Sequence, residues 1–187
     1  DTTSPEVMRS GYARLAESTA FQRLTATATP YAVWDDHDYG RNDAGRSFPI
    51  REEAERVFEE FWEIPEDDPR RSRPGIYGVE HLSREGLELQ LILLDTRYFR
   101  SPLQRHDAET GSGVDGPYAK AFSQSATILG DDQWSWLVRT MEAGTGSTEH
   151  DTPDLRIIVS SIQVLAEYHG WESWSNFPDE LERLLEL

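Results

Sequence analysis

The chain has 187 residues, 35 of them acidic and 18 basic, for a formal net charge of -17, a length that suits one domain or a large part of one. Its 37% apolar content, with six Trp, seven Tyr and seven Phe, excludes a disordered chain and places most of the charge on the surface. The acidic balance disfavours a nucleic-acid groove or an anionic membrane surface as a stable partner, and the absence of cysteine excludes disulfides and thiolate metal sites.

Thr3 and Glu6 have the spacing of a capping box, Pro5 lies in the first turn, and Met8, Tyr12 and Leu15 recur at helical spacing. The pattern predicts a helix over about 4–18. "FQRLTATATP" leads into Tyr31 to Trp34, an apolar run bounded by Pro30 and carboxylates that reads as a buried strand. From Pro49 to Trp62 a second helix carries Ala54, Val57, Phe58, Phe61 and Trp62 on one stripe, with the glutamates of 52–60 as a solvated face. Residues 76–82 and 87–95 read as a hairpin joined by Ser83 to Gly86. Residues 101–127 lack a period and form a long excursion. A helix begins near Asp131 with Trp134, Leu137, Val138 and Met141 on its apolar face. After the surface loop "AGTGSTEHDTPD", Leu155 to Ser160 is a β-branched strand, followed by "SIQVLAEYHGWESWSNFP". Alternating strands and helices favour an α/β layered domain. No apolar run approaches the roughly 20 residues that span a bilayer. The start at Asp1 reads as a processed form or a fragment.

"YAVWDDHDYGRND" gathers Asp35, Asp36, His37 and Asp38 just past a strand-like run. Carboxylates this close raise one another's cost of ionisation, and a bound cation removes that cost. Oxygen ligands beside an imidazole suit metal-assisted hydrolysis; the competing reading is a helix N-cap with a solvated acidic loop. An EF-hand counted from Asp35 fails, because His37, Tyr39 and Arg46 fall on ligand positions. No HExxH, GxxxxGK[ST] or GxSxG occurs. Asn42 reads equally as an oxygen ligand or a helix cap. Arg97, past an apolar strand, pairs with a phosphate or the acidic loop, or else braces Asp95. Trp171, Trp174 and Phe177 read as packing, and among His81, His106, His150 and His169 only the last lies near a candidate loop.

"WDDHDYGRNDAG" resembles the signature of the alkaline phosphatase D, or PhoD-like, family of the calcineurin-like metallophosphatase superfamily. "GIY", "LLDTRYFR", "ILGDDQWSWL", "SSIQVL" and "WSNFP" follow in the family's order, so the resemblance spans nearly the whole chain. It implies a layered αββα sandwich and the hydrolysis of phosphomonoesters or phosphodiesters. Asp36 falls where the superfamily's GNH[D/E] motif has a metal-binding Asn, and His37 where it has the His that meets phosphate or protonates the leaving group. Asp38 matches the acid that orients this His, and Asp35 is a further metal ligand or a support for one. Arg97 and Gln163 fall near the substrate, Gln163 with Ser160 and Ser161 in a second strand-end loop. The family's metals are calcium and iron, with manganese, magnesium or zinc as alternatives; oxygen donors favour hard cations. The resemblance also implies a periplasmic or secreted protein and a small phosphate ester as partner. The family's flanking aspartate and GDxH-like ligand motifs do not occur within residues 1–187, which therefore read as the central part of one catalytic domain. The competing reading is a non-catalytic acidic module that binds metal or a partner.

Overall fold

The computed structural model describes residues 2–106, 115–123, 125–143 and 152–187. The predicted first helix forms as α1 (Pro5–Glu17), but Ser4 rather than Thr3 is its cap, accepting from the Val7 amide at 3.4 Å and donating to Glu6 at 2.7 Å. A helix that the pattern did not predict, α2 (Thr19–Thr25), follows at once behind a second serine cap, Ser18. Its threonines are poor helix formers, which hides it from a periodicity reading.

Tyr31 to Trp34 is not a strand. No ladder pairs with it among the described residues, although Trp34 is fully buried. It leads instead into a single helical turn, α3 (Asp36–Tyr39). The glutamate-rich helix is α4 (Arg51–Phe61), and here the expected solvated face is corrected: Glu55 and Glu59 are buried beside Ala54, Val57 and Phe58. The chain after α4 returns over that face, and Arg71 pairs with Glu59 at 3.2 Å.

The hairpin is β1 (Gly78–Arg84) and β2 (Leu87–Leu93), paired antiparallel with Glu80 opposite Leu91. Its turn is tighter than predicted, with Glu85 and Gly86 both in the left-handed region at φ 54° and 84°. A crossover through α5 (Gly130–Glu142) then sets β3 (Leu155–Val159) parallel to β2, Leu91 opposite Ile157. The described residues form one three-stranded sheet in the order β1-β2-β3. The last helix, α6 (Pro178–Leu185), carries Pro at its first position and Asp179 and Glu180 in its first turn. Those are strong start signals, though no helix was read there.

Two apolar clusters result. One gathers Ile92, Leu94, Ile128, Trp134, Leu137, Trp174 and Phe177 beneath α5 and α6. The other gathers Met8, Trp34, Tyr39, Phe48, Phe58, Ile76 and Tyr98 around α4. The segment after β2 joins them through Asp95. Its carboxylate accepts Trp34 Nε1 at 2.9 Å and the amides of Ile76, Arg97 and Tyr98 at 2.9–3.0 Å. Burial raises the Asp95 carboxyl above the usual range, and these four donors work against the shift. Gln133 of α5 clamps the same residue's backbone on both sides. The excursion closes at its base, where Ala119 donates to Gln104 at 2.8 Å and His106 to Pro117 at 3.1 Å. Part of it, residues 107–114, lies outside the described residues, as do most of the loop before β3 and His150.

Candidate functional site

The α3 turn is anchored from below. Trp34 and Tyr39 are fully buried, packed edge to face at 4.9 Å, and Tyr39 continues onto Phe48. Asp35 and Asp38 close a reciprocal cap, with Asp38 Oδ1 accepting the Asp35 amide at 2.9 Å. Burial raises the Asp38 carboxyl, and its hydrogen bonds to backbone amides work against that. Gly40 ends the turn at φ 146°, where a Cβ would fall 2.4 Å from the Phe48 ring. The chain then bends back, so that Asp36 accepts the Asp43 amide at 3.0 Å and the His37 amide at 2.8 Å.

From the opposite side Arg97 projects off the Asp95 scaffold, 1% exposed. Its guanidinium meets both oxygens of Glu172 at 2.6 and 2.7 Å and Asp35 Oδ1 at 3.1 Å through Nε. Burial works against its charge, but Glu172 and then Asp35 outweigh burial and hold the proton more firmly than usual. Arg100, fully buried, reaches the same Glu172 at 3.1 Å. Because β2 and β3 run parallel, the loops that follow both strands leave from the same edge of the sheet. Arg97 comes from one of these loops and Glu172 from the other.

The result is a group of three carboxylates, Asp36, Asp43 and Glu172, whose nearest oxygens all lie within 4.8 Å of one another. With Asp35 the local acids number four against two arginines, a residual negative charge that a hard cation offsets. Donors that are all oxygen fit such an ion. Tyr118 donates its hydroxyl to Asp43, and Asn42 Nδ2 reaches the same carboxylate at 2.7 Å.

Of the residues singled out from the sequence, Asp35, Asp36 and Arg97 meet here, and Asn42 joins through Asp43. His37 stands at the rim, 65% exposed in its side chain, with Nε2 3.9 Å from Asp36. Asp38 is turned to the backbone of its own helix turn. Gln163 spends its side chain on His169 Nε2 at 3.0 Å, Ser161 on Thr96 at 2.7 Å and Ser160 on the Trp174 indole at 2.9 Å. Trp174 and Phe177 are core, as expected, whereas Trp171 is 52% exposed. Two residues were missed. Asp43 is the last letter of the acidic motif, and Glu172 stands between tryptophans in "GWESW", where only three-dimensional proximity reveals it.

The family model described as PhoD-like phosphatase matches residues 2–185. No curated protein matches the chain. A solved structure described as "Structure of PhoD" superposes with a TM-score of 0.57 at 19% identity, covering 82% of this chain and 30% of that one. At that identity the superposition shows a shared mixed α/β fold, and the chain spans less than a third of the protein it resembles. With a family match across all but its extreme residues, this chain belongs to the PhoD-like phosphatases.

Proposed function

We propose that the whole protein hydrolyses small phosphate monoesters or diesters with bound metal, and that these 187 residues supply the central part of its layered αββα catalytic domain. The observation that carries this reading is the convergence of Asp36 and Asp43, from the acidic motif, with Glu172, from the loop after β3, beside a buried arginine. These carboxylates would hold a hard cation, calcium, manganese or magnesium, with iron or zinc where further ligands join. When bound, such a metal polarises a phosphoryl oxygen and lowers the pKa of a water.

The chain's own residues do the rest. Asp35 and Glu172 are held in place by Arg97, which also sets positive charge at the floor of the site for the phosphoryl oxygens. Asn42 fixes the Asp43 carboxylate. Asp38 holds the turn that presents His37 to solvent. Water adds to phosphorus, the ester P–O bond breaks, and His37 gives its proton to the departing alkoxide. Gln163, held to His169 by a hydrogen bond, would meet the substrate from the loop after β3. The acidic surface suits a small substrate rather than nucleic acid, and membership of the PhoD-like family supports an exported protein that works in the periplasm or outside the cell.

The second reading, an acidic module without turnover, is favoured by the two arginines that already neutralise Glu172. Elemental analysis of the whole protein beside Asp36→Asn, with aryl phosphate monoester and diester hydrolysis on the same samples, separates them. Near-stoichiometric metal with turnover, and a loss of at least about 100-fold in the variant, is expected. Turnover undiminished in Asp36→Asn overturns the assignment of this residue. A folded, metal-free, inactive wild type identifies the module.

A further inference from the structure

We propose that the cavity between α1 and α3 receives the organic group of the substrate ester and selects apolar, ring-sized leaving groups over small ones. The proposal rests on the phosphatase reading of α3. The cavity has a volume of about 410 Å³, within the range of small-molecule sites. Val7, Met8, Tyr12 and Leu15 of α1 form one wall, and His37 with Asp38 forms the other. The proton donor and the apolar surface therefore share one space. A leaving group whose oxygen takes a proton from His37 has its carbon skeleton directed there.

The lining is unlike the rest of the surface. The chain carries 35 acidic residues, and Asp38, tied to the Asp35 amide, is the one that reaches the cavity among the described residues. Glu6 and Glu17 of the same helix point elsewhere, while Val7 and Leu15 stand 53% and 38% exposed. Gly11 supplies a second, independent indication. It lies in the interior of α1, one turn from both Val7 and Leu15, where glycine costs about 1 kcal/mol against alanine. Packing does not require it, because a Cβ there would meet nothing closer than the end of Arg14 at 3.8 Å. What the missing side chain preserves is the open volume. Arg14, whose guanidinium lies beside Gly11, is the basic residue of the lining.

The test uses the whole protein and two probes that cannot be hydrolysed, phenylphosphonate and methylphosphonate, with binding followed by calorimetry. Wild type is expected to hold the phenyl probe about tenfold tighter, the order seen when an aromatic ring leaves water. Gly11→Leu fills the cavity and brings the ratio close to one, with a melting temperature no lower than wild type. Val7→Asp, which suits the first turn of a helix, places a charge in the same wall and produces the same loss. In turnover, the preference for phenyl phosphate over methyl phosphate falls by the same factor in both variants. Equal affinities in wild type, or a preference that survives both substitutions, overturns the pocket. Selective binding without turnover of either ester leaves the pocket standing and overturns the hydrolase reading beneath it.

Discussion

Glu55 is a carboxyl that its surroundings keep protonated. Burial comes first, with the negative charges of Asp95 and Glu59 behind it, and together they push its pKa up to about 8 from an ordinary 4.5. Its Oε1 is buried with no hydrogen-bond partner among the described residues, which a neutral acid tolerates and an anion does not. The folded state therefore holds this proton more tightly than the unfolded chain. The stability that follows is complete below the unfolded value and is lost as pH rises through about 8. Thermal melts from about pH 5 to about pH 9 are expected to show wild type falling behind Glu55→Gln as pH rises, with the widest gap above about pH 8. A gap that does not change with pH would assign the position to packing alone. None of this was legible in the sequence, where Glu55 belongs to a run of glutamates that reads as a wet helix face. The same limit hid Glu172: a carboxylate's partners are set by segments dozens of residues away, and periodicity carries no information about them. Asp35, Asp36 and Arg97 were legible because clustered charge next to an apolar run is itself anomalous.

Helices with an apolar stripe, and a hairpin with alternation, were readable from local pattern because their stabilising contacts repeat every three to four residues or every two. α2 and α3 were not, since each is set by capping serines or aspartates rather than by a stripe. Tyr31 to Trp34 shows the converse failure: burial of Trp34 supplies a strand's composition, but no strand among the described residues pairs with it. The β1–β2 turn offers a test at this scale. Both central residues are left-handed, and Glu85 adopts that conformation without glycine's freedom or an Asn side chain's local hydrogen bonds. Glu85→Asn is expected to stabilise the protein by about 0.5–1 kcal/mol in urea unfolding, with an unchanged slope. Gly86→Ala in the same background should reverse the gain. A neutral or destabilising Glu85→Asn would mean that the turn is held by something other than its own backbone preference.

Across the whole molecule, two apolar clusters meet at Asp95, and the acidic turn, the arginines and Glu172 sit where they join. The Asp95 carboxylate ties Trp34, Ile76, Arg97 and Tyr98 together from inside, so the same residue that unites the clusters also aims Arg97. That economy has a kinetic side. Arg97 cannot meet Asp35 until 62 residues of chain have closed on themselves, nor Glu172 until 75 have, whereas the hairpin closes across a two-residue turn. Closure entropy and contact order both rank these events, hairpin early and ionic tie late. In pulse-labelled refolding, the amides that bond between β1 and β2 are expected to gain protection before that of Leu94, which bonds to Val159 across the crossover; simultaneous protection would place the crossover, and the tie beyond it, in the rate-limiting nucleus. Until the arginine arrives, the nascent chain carries the carboxylates of Asp35, Asp36 and Asp38 uncompensated, and dissolved cations present during refolding act as their temporary partner.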